Sequence, residues 1–209
     1  MDLKKDLKKA LEQLRKGKER NFNQTIDLII NLQKYDLKKN PLNLFITLPH
    51  KIKDKKICAF FEVKSNSVET ITKNDFKKYS GKIEVKKLVK KFDFFIAQAS
   101  LMASVATSFG KVLGPSGKMP SPQLGILVNV DDKTIAELKD KINTSVKIRS
   151  KEASVKLAIG KEDMKDEEII ENILQVYNTV IKALQRENDN IKNLEVKFTM
   201  TKPEKVQVR

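Results

Sequence analysis

The apolar residues of this chain keep two rhythms, and the rhythm changes twice along its length. Phe22, Ile26, Leu28, Ile30 and Leu32 alternate with Asn23, Thr25, Asp27 and Asn31, a period of two that predicts a strand with one face buried. KICAFFEV, residues 56–63, is nearly all apolar, the pattern of a strand covered on both faces in a parallel sheet. After about residue 143 the alternation returns, in SVKIRS (145–150) and SVKLAIG (154–160). The two ends thus share one style and the middle has another. The economical architecture is an α+β discontinuous domain built from residues 1–54 and 143–209, with an α/β domain, residues 55–142, inserted into it. The two chain crossings near residues 54 and 143 would form a hinge.

The remaining elements obey the same signals. Leu3, Leu7, Ala10, Leu11 and Leu14 fall at helical spacing, so residues 2–16 read as an amphipathic helix stopped by Gly17. Strands are expected at 44–48, 68–72, 93–99, 125–130 and 194–200, and helices near 74–79, 83–92, 101–109 and 131–142. SVKIRS and SVKLAIG read as a hairpin. A long helix is expected over 166–186, with Asp166, Glu167 and Glu168 suited to the positive end of its dipole. Strands alternating with helices in the middle argue for a parallel sheet.

The formal net charge is +15. A field of that size attracts polyanions, of which nucleic acid is the commonest in the cytoplasm. Lysine far outnumbers arginine, which occurs only at positions 15, 20, 149, 186 and 209. Lysine is a flexible point charge rather than a planar fork, so these side chains supply affinity more than sequence reading. The N-terminus, MDLKKDLKKALEQLRKGKER, lacks the apolar core of a signal peptide, and no apolar run approaches the ~18 residues of a membrane helix. Both point to a cytoplasmic protein without a membrane partner. The single cysteine, Cys58, excludes an internal disulfide and a thiolate metal cluster, and the single histidine, His50, has no second ligand beside it. No metal or cofactor is expected.

One stretch invites an enzymatic reading. GKVLGPSGKMPSPQ, residues 110–123, holds three glycines and three prolines with Lys111 and Lys118 beside them. A Walker loop needs G-x-x-x-x-G-K followed by Ser or Thr, whose hydroxyl holds magnesium. Here Met119 comes after Gly117 and Lys118, and Val112 stands where the first glycine is required. Pro115, Pro120 and Pro122 remove amide donors that a phosphate cradle needs. The G-x-G-x-x-G spacing of a dinucleotide site is absent as well. A stiff, positively charged surface loop fits better than a nucleotide-binding α/β enzyme, and no nucleophile and base pair stands out elsewhere.

The same stretch resembles the signature of the ribosomal protein L-one family, a large-subunit protein of the mobile stalk beside the tRNA exit site, in its archaeal and eukaryotic form. The pattern G-x-x-L-G-P-x-G-x-M-P-x-P is met by Gly110, Leu113, Gly114, Pro115, Gly117, Met119, Pro120 and Pro122. DFFIAQASLM, RNFNQTIDL, LPH, AIGKEDM and FTM add to it over nearly the whole chain. The resemblance implies a non-enzymatic protein, monomeric within the ribosome, whose inserted α/β domain is Rossmann-like and three-layered. It implies binding to stalk rRNA of the large subunit, help in releasing exit-site tRNA, and translational repression through its own mRNA. It also implies RNA contacts at Phe22 and Thr25, at Gly160 and Lys161, and at Thr199 and Met200, with Arg20, Asn21, Lys156 and Asn193 as neighbours. Phe22 continues the apolar face and reads equally as core. The family has glycine after Thr-Met; this chain has Thr201, so that contact must be made by a threonine. The segment between Val63 and Val68 is too short for the first helix of a doubly wound domain, which implies an inserted domain trimmed on one side.

Overall fold

The structure is a computed structural model and describes residues 3–17, 20–36, 40–65, 67–79, 81–150 and 152–207. By its contacts the chain divides into two compact units, Met1–Ile52 with Thr144–Arg209, and Lys53–Asn143.

In the first unit, helix α1 (Leu3–Arg15) buries Leu7, Ala10, Leu11 and Leu14; the expected start at Asp2 lies outside the described residues. Strand β1 (Thr25–Leu32) alternates half-buried and buried residues along its whole length. It begins three residues later than the apolar pattern suggested, so Phe22 lies before it. In the second unit come β3 (Ile57–Phe60), β4 (Glu69–Ile71), β5 (Phe94–Gln98) and β6 (Ile126–Leu127), with helices α2 (Lys82–Lys91), α3 (Met102–Ser116) and α4 (Asp132–Thr144). The first unit's other elements are β2 (Asn43–Thr47), β7 (Ser145–Arg149), β8 (Ser154–Lys161), α5 (Asp166–Ala183), β9 (Ile191–Phe198) and β10 (Glu204–Val206).

Strands β10, β9, β1 and β8 form one antiparallel sheet in that order, while β2 and β7 pair separately. The expected hairpin of residues 145–150 and 154–160 is therefore not formed. Thr47 pairs with Ser145 at one end of β2 and Asn43 with Arg149 at the other, and β8 pairs instead with β1. Helices α1 and α5 cover the apolar side, and Ile26, Leu28, Ile30, Leu194, Val196 and Phe198 meet Ile169, Ile173, Val176 and Val180 in one core. Each such side chain contributes about 1.5–3 kcal/mol through burial. Asn172 of α5 is fully buried. Its Oδ1 accepts from the His50 N–H at 3.0 Å, and its Nδ2 donates to the carbonyls of His50 (3.1 Å) and Ile159 (3.0 Å). A buried amide with these partners avoids a desolvation cost and ties the turn after β2 to the helix. His50 adds an Nε2–Oε2 contact of 2.7 Å to Glu171.

In the second unit the sheet is parallel, in the order β4-β3-β5-β6. Strand β3 is buried at every position. Cys58 and Phe60 face Val85, Leu88, Val105, Phe109 and Leu113 of α2 and α3; Ile57 and Ala59 face Ile135 and Ile142 of α4. These are three layers, α/β/α. Residues 61–68, between β3 and β4, carry no helix among their described positions, so the α4 side is the thinner one.

The glycine-proline stretch is not the surface loop that its composition suggests. Gly110, Leu113, Gly114 and Pro115 continue helix α3, which ends at Ser116. Pro115 occupies the last turn, where its ring gives up the hydrogen bond an N–H would make to the carbonyl four residues back, and the helix ends one residue later. Gly117, at φ 73°, is the left-handed cap, with its N–H on the Gly114 carbonyl (3.0 Å) and the Lys118 N–H on the Leu113 carbonyl (3.1 Å). Leu113 and Pro120 are buried, Met119 packs on the core, and Pro122 is exposed.

Candidate nucleic-acid interface

One end of the four-stranded sheet gathers most of the expected contact residues. Thr25 opens β1, and the register places it opposite Lys161 at the end of β8. Thr199 comes directly after β9. Its N–H donates to the Thr25 carbonyl (3.0 Å), and its Oγ1 accepts from the Thr25 N–H (3.1 Å). Thr199 thereby extends the strand pairing by one step with its side chain. The Thr25 hydroxyl makes no hydrogen bond among the described residues. Met200, 58% exposed, is held through its N–H on Gln24 Oε1 (3.2 Å). Thr201, at the position where the family pattern has glycine, closes the turn: its Oγ1 accepts from the Phe198 N–H at 2.9 Å and its N–H donates to the Phe198 carbonyl at 3.1 Å. No positive φ is adopted there, so threonine is accommodated without strain.

The end of β8 is aimed by a bulge. Ile26 pairs with Gly160 but Asp27 with Ala158, so Ile159 is an extra residue that re-aims Gly160 and Lys161. Gly160 is buried, and a Cβ there would lie 3.2 Å from Ile169 Cγ1; its small size serves packing against α5. Lys161 is half-buried, and its ammonium makes no ion pair among the described residues. The turn beyond is held from α1. Arg15 donates to the carbonyls of Glu162 (2.9 Å) and Met164 (3.0 Å) and to Asp166 Oδ1 (2.7 and 2.9 Å). The charged fork is matched to three acceptors at once.

Beside this lies a surface cleft of about 480 Å³ lined by Arg20, Asn21, Phe22, Asn23, Glu162 and Asp163. Phe22 is 52% exposed, which decides between its two readings: it is not a core residue. Glu162 reaches back to the buried Gln24. Its N–H donates to the Gln24 carbonyl (2.9 Å), and its Oε2 accepts from the Gln24 N–H (3.2 Å). Arg15, Gln24, Glu162 and Asp163 were not among the expected site residues. Glu162 and Asp163 stand in AIGKEDM, where the acids read as ordinary solvated surface, and Gln24 stands in RNFNQTIDL.

Two expected neighbours lie elsewhere on the sheet. Lys156 stands opposite Ile29 and pairs with Glu152 at 3.4 Å. Asn193 stands opposite Asn31, with its Nδ2 on Glu195 Oε1 at 2.9 Å. Six residues separate Asn31 from Thr25, about 20 Å along an antiparallel strand. Near the middle of that face Asp27 sits across from Lys197; burial raises its carboxyl pKa and the lysine opposes the rise. In the second unit Lys118, the lysine of the Gly-Lys pair, donates to the carbonyls of Val89 and Phe92, both at 2.7 Å. It closes the C-terminus of α2, as cations at helix C-termini do. Among the described residues no group of three or more His, Cys, Asp or Glu is placed to hold a metal ion, and no helix is long and apolar enough to cross a membrane.

Residues 7–202 match the ribosomal protein L1p/L10e family. The chain is 36% identical over 208 residues to the large ribosomal subunit protein uL1 of Pyrobaculum islandicum, covering 94% of this chain and 90% of that one. The protein of the same name from Nanoarchaeum equitans is 35% identical, with 91% and 94% covered. That from Pyrococcus abyssi is 34% identical, with 99% and 97% covered. The chain belongs to the ribosomal protein L1p/L10e family.

Proposed function

We propose that this chain is a structural component of the large ribosomal subunit that grips stalk rRNA with the sheet end formed by Thr25, Lys161, Thr199 and Met200. The observation that carries the reading is the convergence of both chain extremities on that end. Residues from the start of β1, from the end of β8 and from the turn after β9 form one surface of short side chains and backbone, with an ammonium that makes no ion pair among the described residues. Such a surface suits the wide minor groove of folded RNA, where 2′-hydroxyls and phosphates are within reach. Arg20, Asn21 and Phe22 flank it. The bound protein acts as a monomer in the cytoplasmic ribosome, moves with the stalk as deacylated tRNA leaves the exit site, and uses the same surface on its own mRNA. The inserted unit takes no part in nucleotide chemistry, since the lysine of its Gly-Lys pair is engaged by backbone carbonyls.

The test is a titration of the full chain with a stalk rRNA fragment at several salt concentrations, with ATP and magnesium as a parallel ligand. Tight, steeply salt-dependent RNA binding is expected, with no ATP binding. Lys161→Ala lowers affinity and reduces the salt slope by about 1. Thr199→Ala lowers affinity with the slope unchanged. ATP binding, or a flat salt profile, would refute the reading.

A further inference from the structure

We infer that the cleft between Phe22 and Glu162 receives one unstacked base of the bound RNA, and that guanine is the base it prefers. The inference rests on the RNA-binding reading above and adds the chemical class of the group recognised there.

Two carboxylates line this cleft in a chain of net charge +15. An ionised carboxylate repels phosphate oxygens and can only accept hydrogen bonds. At an RNA-facing surface it is useful only against a donor. Glu162 is also fixed in position. Its N–H and Oε2 are both tied to the Gln24 backbone, at 2.9 and 3.2 Å, and its carbonyl is held by Arg15 at 2.9 Å. Its Oε1, and the exposed carboxylate of Asp163, make no hydrogen bond among the described residues.

The rest of the lining has the chemistry of base recognition. Phe22 exposes half of its surface beside Arg20. Aromatic rings and guanidinium planes are the surfaces on which splayed-out bases of RNA stack, while their Watson–Crick edges are read by hydrogen bonds. Asn21 and Asn23 offer amide donors and acceptors around the rim. Guanine alone presents two adjacent donors, N1–H and N2–H, on that edge, which is the match for a carboxylate. Adenine and cytosine place an acceptor beside their amino group, and uracil flanks its single N–H with two carbonyls. The carboxylates therefore reward guanine and penalise any RNA that brings only phosphate to the cleft.

The experiment uses the full chain and four RNA duplexes of one sequence, each with a single bulged nucleotide: guanine, adenine, cytosine or uracil. Wild type binds the guanine bulge about tenfold more tightly than the others, as a bidentate pair discriminates. Glu162→Gln keeps an acceptor for the Gln24 N–H but loses the charge; it reduces the preference to about twofold and tightens binding of the other three. Phe22→Ala weakens the guanine bulge most. No guanine preference in wild type, equal tightening of all four RNAs by Glu162→Gln, or no effect of Phe22→Ala would overturn the inference. A stalk rRNA fragment is the fifth RNA. If it binds no better than the bulged duplexes, the ribosomal target is wrong, while the base pocket stands or falls on the other four.

Discussion

At the scale of single residues, two lysines that each follow a glycine, Lys161 and Lys118, are placed differently. Lys161, half-buried at the end of a bulged strand, makes no ion pair among the described residues, whereas Lys118 has two carbonyl partners at 2.7 Å. Hydrogen bonds from a charged donor contribute about 1.5–3 kcal/mol each to stability. Lys118→Met keeps the aliphatic stem and removes the donor, so the carbonyls of Val89 and Phe92 lose their partner. It is expected to lower the stability of the inserted unit by about 3 kcal/mol, read as a shift in the denaturation midpoint, and to leave RNA affinity unchanged. A loss of RNA affinity with unaltered stability would show that the ammonium faces a ligand after all. Phe22 makes the complementary point. Its place on the even-numbered apolar face could not be separated from core by periodicity, because the pattern does not say where the strand starts. Pairing does: the ladder begins at Thr25, opposite Lys161.

At the scale of elements, periodicity identified strands and helices but not partners or ends. The alternation in residues 145–150 and 154–160 is real, yet two strands close in sequence each found a better partner, β2 for one and β1 for the other. Nothing in a period of two encodes that choice. The run from Gly110 to Ser116 failed in the other direction. Glycine and proline argue for a loop, but Gly110 and Gly114 have open space where a Cβ would be, and tertiary packing of Leu113 carries the helix through them. The all-apolar β3 was legible because burial on both faces leaves no polar position. That burial has a measurable consequence. Lys55, two residues before β3, donates to the Ile142 carbonyl at 2.7 Å, and burial lowers its pKa from 10.5 to about 8, with Asp93 opposing the shift. Below pH 8 the ammonium is charged in both states, and its burial opposes folding in full. Between about 8 and 10.5 the unfolded chain binds more protons than the folded one, so stability rises with pH. Cys58 acts with the opposite sign. Burial pushes its thiol from 9.0 up to about 12, so above pH 9 the unfolded chain loses a proton that the folded chain keeps. The melting temperature is therefore expected to rise from pH 7.5 to 9, to level off between about 9 and 10.5 where the two groups oppose each other, and to fall above that. Lys55→Met should remove most of the rise, and a wild-type melting temperature that falls from pH 8 to 9 would contradict this account.

At the scale of the whole molecule, the proposed contact surface draws on residues up to 175 positions apart in the chain, from Thr25 to Met200, and the intervening segment enters at one place. Strand β2 ends where β7 begins: Thr47 is paired with Ser145, and the Leu48 N–H donates to the Thr144 carbonyl at 2.8 Å. The ends left by removing residues 53–143 therefore start from adjacent strands, and a short glycine-serine linker closes the gap at small entropic cost, since closure grows only with the logarithm of loop length. The core of this unit, from Leu7 to Val206, draws only on residues before 53 and after 143. The fused chain is accordingly expected to unfold cooperatively and to bind a stalk rRNA fragment within about tenfold of the full chain, since phosphate contacts dominate such affinities and the sheet end is intact. Circular dichroism melting and then an RNA titration check both halves. A fused chain that melts cooperatively but ignores the RNA would mean that the grip is not built by the two extremities, and the recognition surface would have to be sought in the inserted unit.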